Sequence, residues 1–105
     1  MFKLVAIYKI PNDKDAFEKH YQEVHTPLTM KVPKMKEFRL NRVFGSPTGT
    51  SDLHLIAEMC FATKDDFKEA MKTTEARDSG MDLMKFAKEI VSVHFVEEKV
   101  TTCKG

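Results

Sequence analysis

A chain of 105 residues, 42% hydrophobic and 31% charged, is the size of one domain with a modest core. Seventeen lysines and arginines against sixteen acidic residues leave a net charge of +1, which removes any general electrostatic reason to bind nucleic acid or an anionic membrane. No apolar run is long enough to span a bilayer and no signal-type segment follows Met1, so a cytoplasmic setting is expected.

Phe2 to Ile10 predicts a strand whose two faces are both apolar at the centre, the mark of a central strand covered on both sides. Asn12 or Asp13 is placed to cap the next helix, and Asp15 adds negative charge to its first turn. That helix is expected from about Lys14 to His25. Phe17, Tyr21 and Val24 share its apolar face, and His25 extends that face from Tyr21. Pro27 disfavours helical geometry at Thr26, so His25 is expected in the last turn, where the macrodipole favours a protonated imidazole. Leu28 to Val32 predicts a short turn.

Glu37 to Phe44 predicts the second strand, with Phe38, Leu40 and Arg42 on one side and Arg39, Asn41 and Val43 on the other. The basic residues Lys31, Lys34, Lys36, Arg39 and Arg42 read as a solvated loop and strand edge, because no glycine-rich loop accompanies them. Gly45 to Asp52 carries only turn signals. Leu53 to Ala62 predicts the third strand. Thr63 resembles the start of a capping box, and a helix is expected from there to about Lys72. A further helix is expected over Thr74 to Lys88, with Ala76, Leu83, Met84 and Ala87 on its buried face and Gly80 as a weak point. Glu89 to Val100 predicts the last strand, and Thr101 to Gly105 a frayed tail.

This order is βαββαβ, the α+β ferredoxin-like plait: a four-stranded antiparallel sheet with helices on one face. We assign Leu55, Ala57, Met59, Phe61, Val91, Val93 and Phe95 to the helix-packed face. The opposite face then carries His54, Ile56, Glu58, Cys60, Ser92, His94 and Val96, too apolar for a plain wet surface and too polar for a dry core. Either it is partly exposed, or a second copy covers it and closes two sheets around a cavity. Its apolar groups favour the homodimer.

His25 is the leading chemical candidate. It can act as a general acid or base, or can simply satisfy buried carbonyls at a helix end. Tyr21 lies one turn before it, and Tyr8 ends the central strand. Both can face a ligand, or serve as core with a hydroxyl at the edge. His54 and Glu58 are about 13 Å apart along one strand, too far to pair directly. A metal site from His54, Glu58 and His94 would need to cross strands or subunits, and no compact ligand motif supports one. His20 reads as a helix-surface residue. Cys60 and Cys103 lack metal-type spacing and are expected neither to form a disulfide nor to act as nucleophiles. No glycine-rich nucleotide fingerprint is present, so no cofactor is expected.

The run Leu4-Val5-Ala6-Ile7-Tyr8-Lys9, then Asp15-Ala16-Phe17, Tyr21 and His25-Thr26-Pro27-Leu28, carries a family likeness. It continues through Val32-Pro33, His54-Leu55-Ile56-Ala57-Glu58 and Phe86-Ala87. On these residues the chain resembles the EthD-like proteins of the dimeric α+β-barrel superfamily over nearly its whole length. The most specific element is Phe17-x-x-x-Tyr21-x-x-x-His25-x-Pro27-Leu28. Met35 departs from the glycine often found after the Val-Pro segment.

The resemblance implies a ferredoxin-like protomer, a homodimer, and a cavity beside the sheet for a small organic ligand. It also implies an oxidoreductase label, since the family name comes from an ether-degradation gene cluster. His25 is then the candidate catalytic residue, and Tyr8, Tyr21, His54 and His94 are the candidate ligand-binding residues. Three activities fit: a binder of a small, largely apolar molecule with oxidoreductase-type activity, a non-catalytic accessory or carrier for a partner oxidase, or a cofactor-independent monooxygenase.

Overall fold

A computed structural model describes residues 1–104. Strand β1 spans Phe2–Lys9, helix α1 Lys14–His20, a π-helical turn Tyr21–His25, and helix α2 Thr26–Thr29. Strands β2 (Met35–Arg42) and β3 (Leu53–Phe61) follow, then helices α3 (Lys64–Met71) and α4 (Thr74–Ala87), and strand β4 (Val91–Glu97). The strand order is β2-β3-β1-β4 and every pairing is antiparallel, the arrangement of the ferredoxin-like plait.

The helices begin where side-chain oxygens satisfy orphan amides. Asp13 accepts from the Ala16 N–H at 3.0 Å, Thr63 from Asp66 at 3.0 Å and Thr73 from Ala76 at 3.2 Å. Beneath them, Ala6, Tyr8, Leu55 and Ala57 of the sheet pack against Phe17, Tyr21, Leu83 and Ala87. A second cluster joins Met59 and Phe61 to Val32 and Ala70.

Four sequence expectations change. First, the helix does not stop at His25. It continues through Pro27 to Thr29, because the π turn, closed by the Thr26 N–H on the Tyr21 carbonyl, widens the backbone just before the proline. The proline then sits at the start of a new α-helical segment, where its missing N–H costs nothing. In an uninterrupted α-helix each four-residue step overshoots a full turn by about 40°, so Thr29 would lie about 120° from Phe17. The π turn absorbs one residue, about 100° of rotation, and restores the alignment. Phe17, Tyr21, His25 and Thr29 are accordingly all buried, whereas Val24, expected on the same face, is 39% exposed.

Second, His54 is not on the helix-free face. The β1–β3 register slips between Tyr8 and Lys9, so Tyr8 pairs with Leu55 and Lys9 with Leu53. His54 is the extra residue of this bulge and is re-aimed to the helix side. Third, the strands shift or shorten at their ends: β2 begins at Met35 rather than Glu37 and stops before Phe44, and β4 covers only Val91–Glu97. Fourth, Val93 and Phe95 do face the helix side, but β4 is an edge strand that the helices cover only in part, and Phe95, though it meets Phe67 of α3 edge-on, is 72% exposed.

The helix-free face carries Val5, Ile7 and Ile56 beside a closed charge network. Lys3 Nζ donates to Glu58 Oε1 at 2.6 Å and to Glu98 Oε2 at 2.7 Å. Asn41 Nδ2 donates to the second Glu58 oxygen at 2.8 Å. Cys60 is buried beneath this network, and burial pushes its thiol pKa up. Cys60 and Cys103 are both free thiols in this structure.

Candidate functional site

The chemistry-bearing residues meet between the sheet and the helices, not on the helix-free face. A cavity of about 220 Å³ lies there. Ala6, Tyr8 and Ala57 form its floor, Tyr21, His25 and Thr29 one wall, and Ser79, Gly80 and Leu83 of α4 the other. Gly80 has open space at the cavity edge: a Cβ placed on it would meet nothing within 4 Å.

His25 is 5% exposed, and its Nδ1 lies 3.0 Å from Asp82 Oδ2. A carboxylate can only accept, so Nδ1 carries the proton and donates it to Asp82. Nε2 is left with the lone pair. Its one polar neighbour is Thr29 Oγ1 at 3.4 Å, itself bonded to Ser79 Oγ at 2.7 Å. The ring packs on Tyr21 and Phe86, with centroids 5.1 Å away in each case. Burial lowers the His25 pKa from its usual value, and the Asp82 hydrogen bond pulls it back only in part. This reverses the expectation of a helix-end imidazolium, since His25 sits mid-helix in an apolar layer rather than against terminal carbonyls.

Asp82 serves a second imidazole. His20 Nε2 lies 2.9 Å from Asp82 Oδ1 and 3.1 Å from Oδ2, and its ring packs at a tilt against Phe86, with centroids 4.5 Å apart. His20 is therefore not a free surface residue, although its side chain keeps 33% of its exposure. A buried neutral imidazole in a cavity wall, its tautomer fixed by a carboxylate, can act as a general base.

Tyr8 and Tyr21 also line the cavity, in edge-to-face contact at 5.7 Å. Burial pushes the Tyr21 pKa up to about 12 and the Tyr8 pKa higher still, so both hydroxyls stay protonated. The Tyr8 hydroxyl is near enough to affect the titration of Tyr21, and among the described residues no other group comes within hydrogen-bond distance of the Tyr21 hydroxyl.

The other two sequence candidates lie elsewhere. His54 Nε2 bonds Glu18 Oε2 at 2.8 Å and its ring packs edge-on against Phe17 at 5.4 Å. Glu18 also receives Arg42. Partial burial opposes the Glu18 charge, but Arg42 and His54 together hold its carboxyl below the usual range. His54 is thus a structural clasp between α1 and the sheet. His94 is exposed on the helix-free face, 3.2 Å from Ser92 Oγ, with the sheet between it and the cavity. Among the described residues no cluster of three His, Cys, Asp or Glu side chains could hold a metal ion.

Sequence reading passed over Asp82, Thr29 and Ser79. One signal was available: Ser79, Asp82 and Phe86 recur at i, i+3 and i+7, a polar-to-aromatic stripe beside the apolar face of α4.

The sequence profile of the EthD domain matches residues 10–89. A solved structure of an ethyl tert-butyl ether d (ethd) family protein from Bacillus halodurans is 40% identical, covers 94% of this chain and 99% of its own, and superposes with a TM-score of 0.90.

The chain belongs to the EthD family.

An uncharacterized 11.0 kDa protein in the thcB-thcC intergenic region of Rhodococcus erythropolis is 25% identical over 94% of this chain and 96% of its own. A dimeric protein of unknown function and ferredoxin-like fold from Bacteroides fragilis shares the fold alone, at 16% identity and a TM-score of 0.61 over 92% of this chain and 95% of its own.

In this EthD protein the shared carboxylate couples the two histidines. Charge on His20 works against charge on His25. His20→Gln keeps a hydrogen-bonding side chain and removes that charge. The His25 pKa is expected to rise toward the ordinary histidine value, read from the ring-proton shifts of His25 in an NMR titration. An unchanged or lowered value would show that Asp82 does not couple them.

Proposed function

We propose that this EthD protein binds a small, largely apolar organic molecule in the helix–sheet cavity and that His25 Nε2 takes a proton from it. The observation that carries the reading is the His25–Asp82 pair, 3.0 Å apart and buried, in the wall of the cavity. Asp82 fixes the tautomer and offsets the charge as the imidazolium forms. An organic anion made in this way gives up electrons more readily than its conjugate acid. That connects the acid–base site to the oxidoreductase-type and monooxygenase readings without a bound cofactor.

The working unit we infer is a homodimer. Val5, Ile7 and Ile56 on the helix-free face would be covered by a second copy, as the dimeric fold relative from Bacteroides fragilis suggests. Each protomer then keeps its own cavity, because the cavity lies on the far side of the sheet from that face.

A native mass spectrum of the purified protein comes first. A dimer with added small-molecule mass is expected, and the added mass gives the ligand. With that ligand, His25→Asn is expected to leave affinity within about threefold and to lower turnover by about 10²- to 10⁴-fold. Unaltered turnover would remove His25 from the chemistry. Ligand binding with no turnover in the unaltered protein would make it a carrier for a partner oxidase.

A further inference from the structure

The end of edge strand β4 leaves an apolar groove open beside α3. Its volume is about 520 Å³, within the roughly 300–1,000 Å³ of small-molecule clefts. Phe67 and Phe95 meet edge-on at 5.1 Å and, with Phe2 and Met71, give the groove a hydrocarbon lining. Phe95 stays largely exposed there. Open apolar ground rimmed by polar groups marks a binding surface.

The rim carries mostly one sign of charge. Lys64, Lys68 and Lys72 recur at i, i+4 and i+8 along α3 and all line the groove, a row about 12 Å long. All three are exposed, and no ion pair among the described residues uses them. Acids of the same helix turn elsewhere: Asp66 and Glu69 meet Lys34, at 3.7 and 3.3 Å. Lysines four apart repel along a helix, and Lys64 stands in the first turn, where the macrodipole disfavours a cation. The helix itself gains little from this row. Lys3 also lines the groove, but its ammonium is already paired with Glu58 and Glu98. Glu97 is the one carboxylate of the lining, so three unpaired cations stand against one anion.

We propose that the groove binds a free amphiphilic organic anion, an alkyl chain ending in a carboxylate, with the chain on Phe2, Phe67 and Phe95 and the head on the lysine row. A cavity near 150 Å³ holds one benzene ring, so about 520 Å³ has room for a chain of about eight to ten carbons and its head. A lysine ammonium is a compact charge with three donors and suits a small carboxylate. Ten residues line the groove, against the roughly 20–30 a side of a stable protein interface. The net charge of +1 gives no general attraction to an anionic bilayer. Both facts favour a small free molecule. Met71 lines this groove and the His25 cavity alike, but the groove uses neither His25 nor Asp82, so this site stands or falls apart from the general-base reading.

The test titrates octanoate, 1-octanol (the same chain without the charge) and acetate (the head alone) into the protein, with octanoate kept below its micelle limit. Amide NMR shifts report where each binds. Octanoate is expected to shift Phe67, Lys68, Phe95 and Glu97 and to bind about tenfold tighter than 1-octanol at low salt, the sum of a few exposed charge contacts. Added salt should remove that preference. Replacing all three lysines, Lys64→Gln, Lys68→Gln and Lys72→Gln, should bring octanoate down to the level of 1-octanol, whose own binding reports an intact groove. Phe95→Ser should weaken both alike.

Equal affinity for octanoate and 1-octanol in the unaltered protein overturns the ligand class. Octanoate shifts confined to cavity residues such as His25 and Ser79, or no shifts at all, overturn the site. Groove shifts with phosphatidylglycerol vesicles but not with octanoate would make this face a membrane contact and overturn the free-ligand proposal.

Discussion

Asp82→Asn is expected to leave a folded protein whose His25 no longer works as a base. The amide keeps the shape of the carboxylate but not its charge, so the imidazolium formed on proton transfer loses its counter-charge in a buried site. The amide can also present N–H to Nδ1, which moves the ring proton to Nε2 and closes its lone pair. Turnover of the ligand found in the native mass spectrum should fall by about 10²- to 10⁴-fold.

The pH dependence has a definite sign. His25 is already held below its usual pKa in the folded state. Above the ordinary histidine value of about 6.5 the ring is neutral whether folded or not, and contributes no slope. As pH falls below that value the unfolded chain binds the proton first, and stability is lost down to the folded pKa. Asp82 raises the folded pKa, so Asn deepens the depression and carries the loss to lower pH. Urea unfolding from pH 7 to 4 reads this directly. An identical acid limb in the two proteins would mean that Asp82 does not govern His25.

Deleting Gln22 is expected to cost about 3 kcal/mol or more, a large part of the 5–15 kcal/mol typical of a whole domain. Gln22 is exposed on the outer side of the π turn and makes no buried contact to lose. Its removal takes out the extra residue and returns the segment to α-helical geometry. Pro27 then presses on the carbonyl of the preceding turn, and everything from His25 onward rotates by about 100° relative to Phe17. Either His25 and Thr29 leave the cavity wall or Phe17 and Tyr21 leave the core. Gln22→Ala at the same position should stay within about 0.5 kcal/mol. Equal stability of the two variants, with the His25 titration unmoved, would show that the π turn does not set the alignment.

Most of the plait was legible because its elements follow simple periods. The caps at Asp13 and Thr63, the alternation Leu55-Ala57-Met59-Phe61 and the βαββαβ order each follow from local chemistry. The site was legible only in part. Tyr8, Tyr21 and His25 stand out because polar-tipped rings on apolar faces are conspicuous in a sequence. Asp82 does not, since a carboxylate in a charged amphipathic helix reads as solvated until a histidine 57 residues away is folded against it. His20 was missed for the same reason. The π turn and the bulge at His54 are single-residue insertions into a period, and periodic reading smooths such insertions away. His54 was therefore assigned to the wrong side of the sheet, and Val24 to the core.

Gly80 gives α4 a place where fold and ligand make opposite demands. Alanine there would favour the helix by up to about 1 kcal/mol, and its methyl would meet no neighbour. The chain forgoes that gain and keeps the volume. A methyl at this cavity-lining position therefore leaves His25, Asp82 and Tyr21 untouched. Under the proposed function, selectivity for ligand size can drift at this position while His25 and Asp82 stay in place.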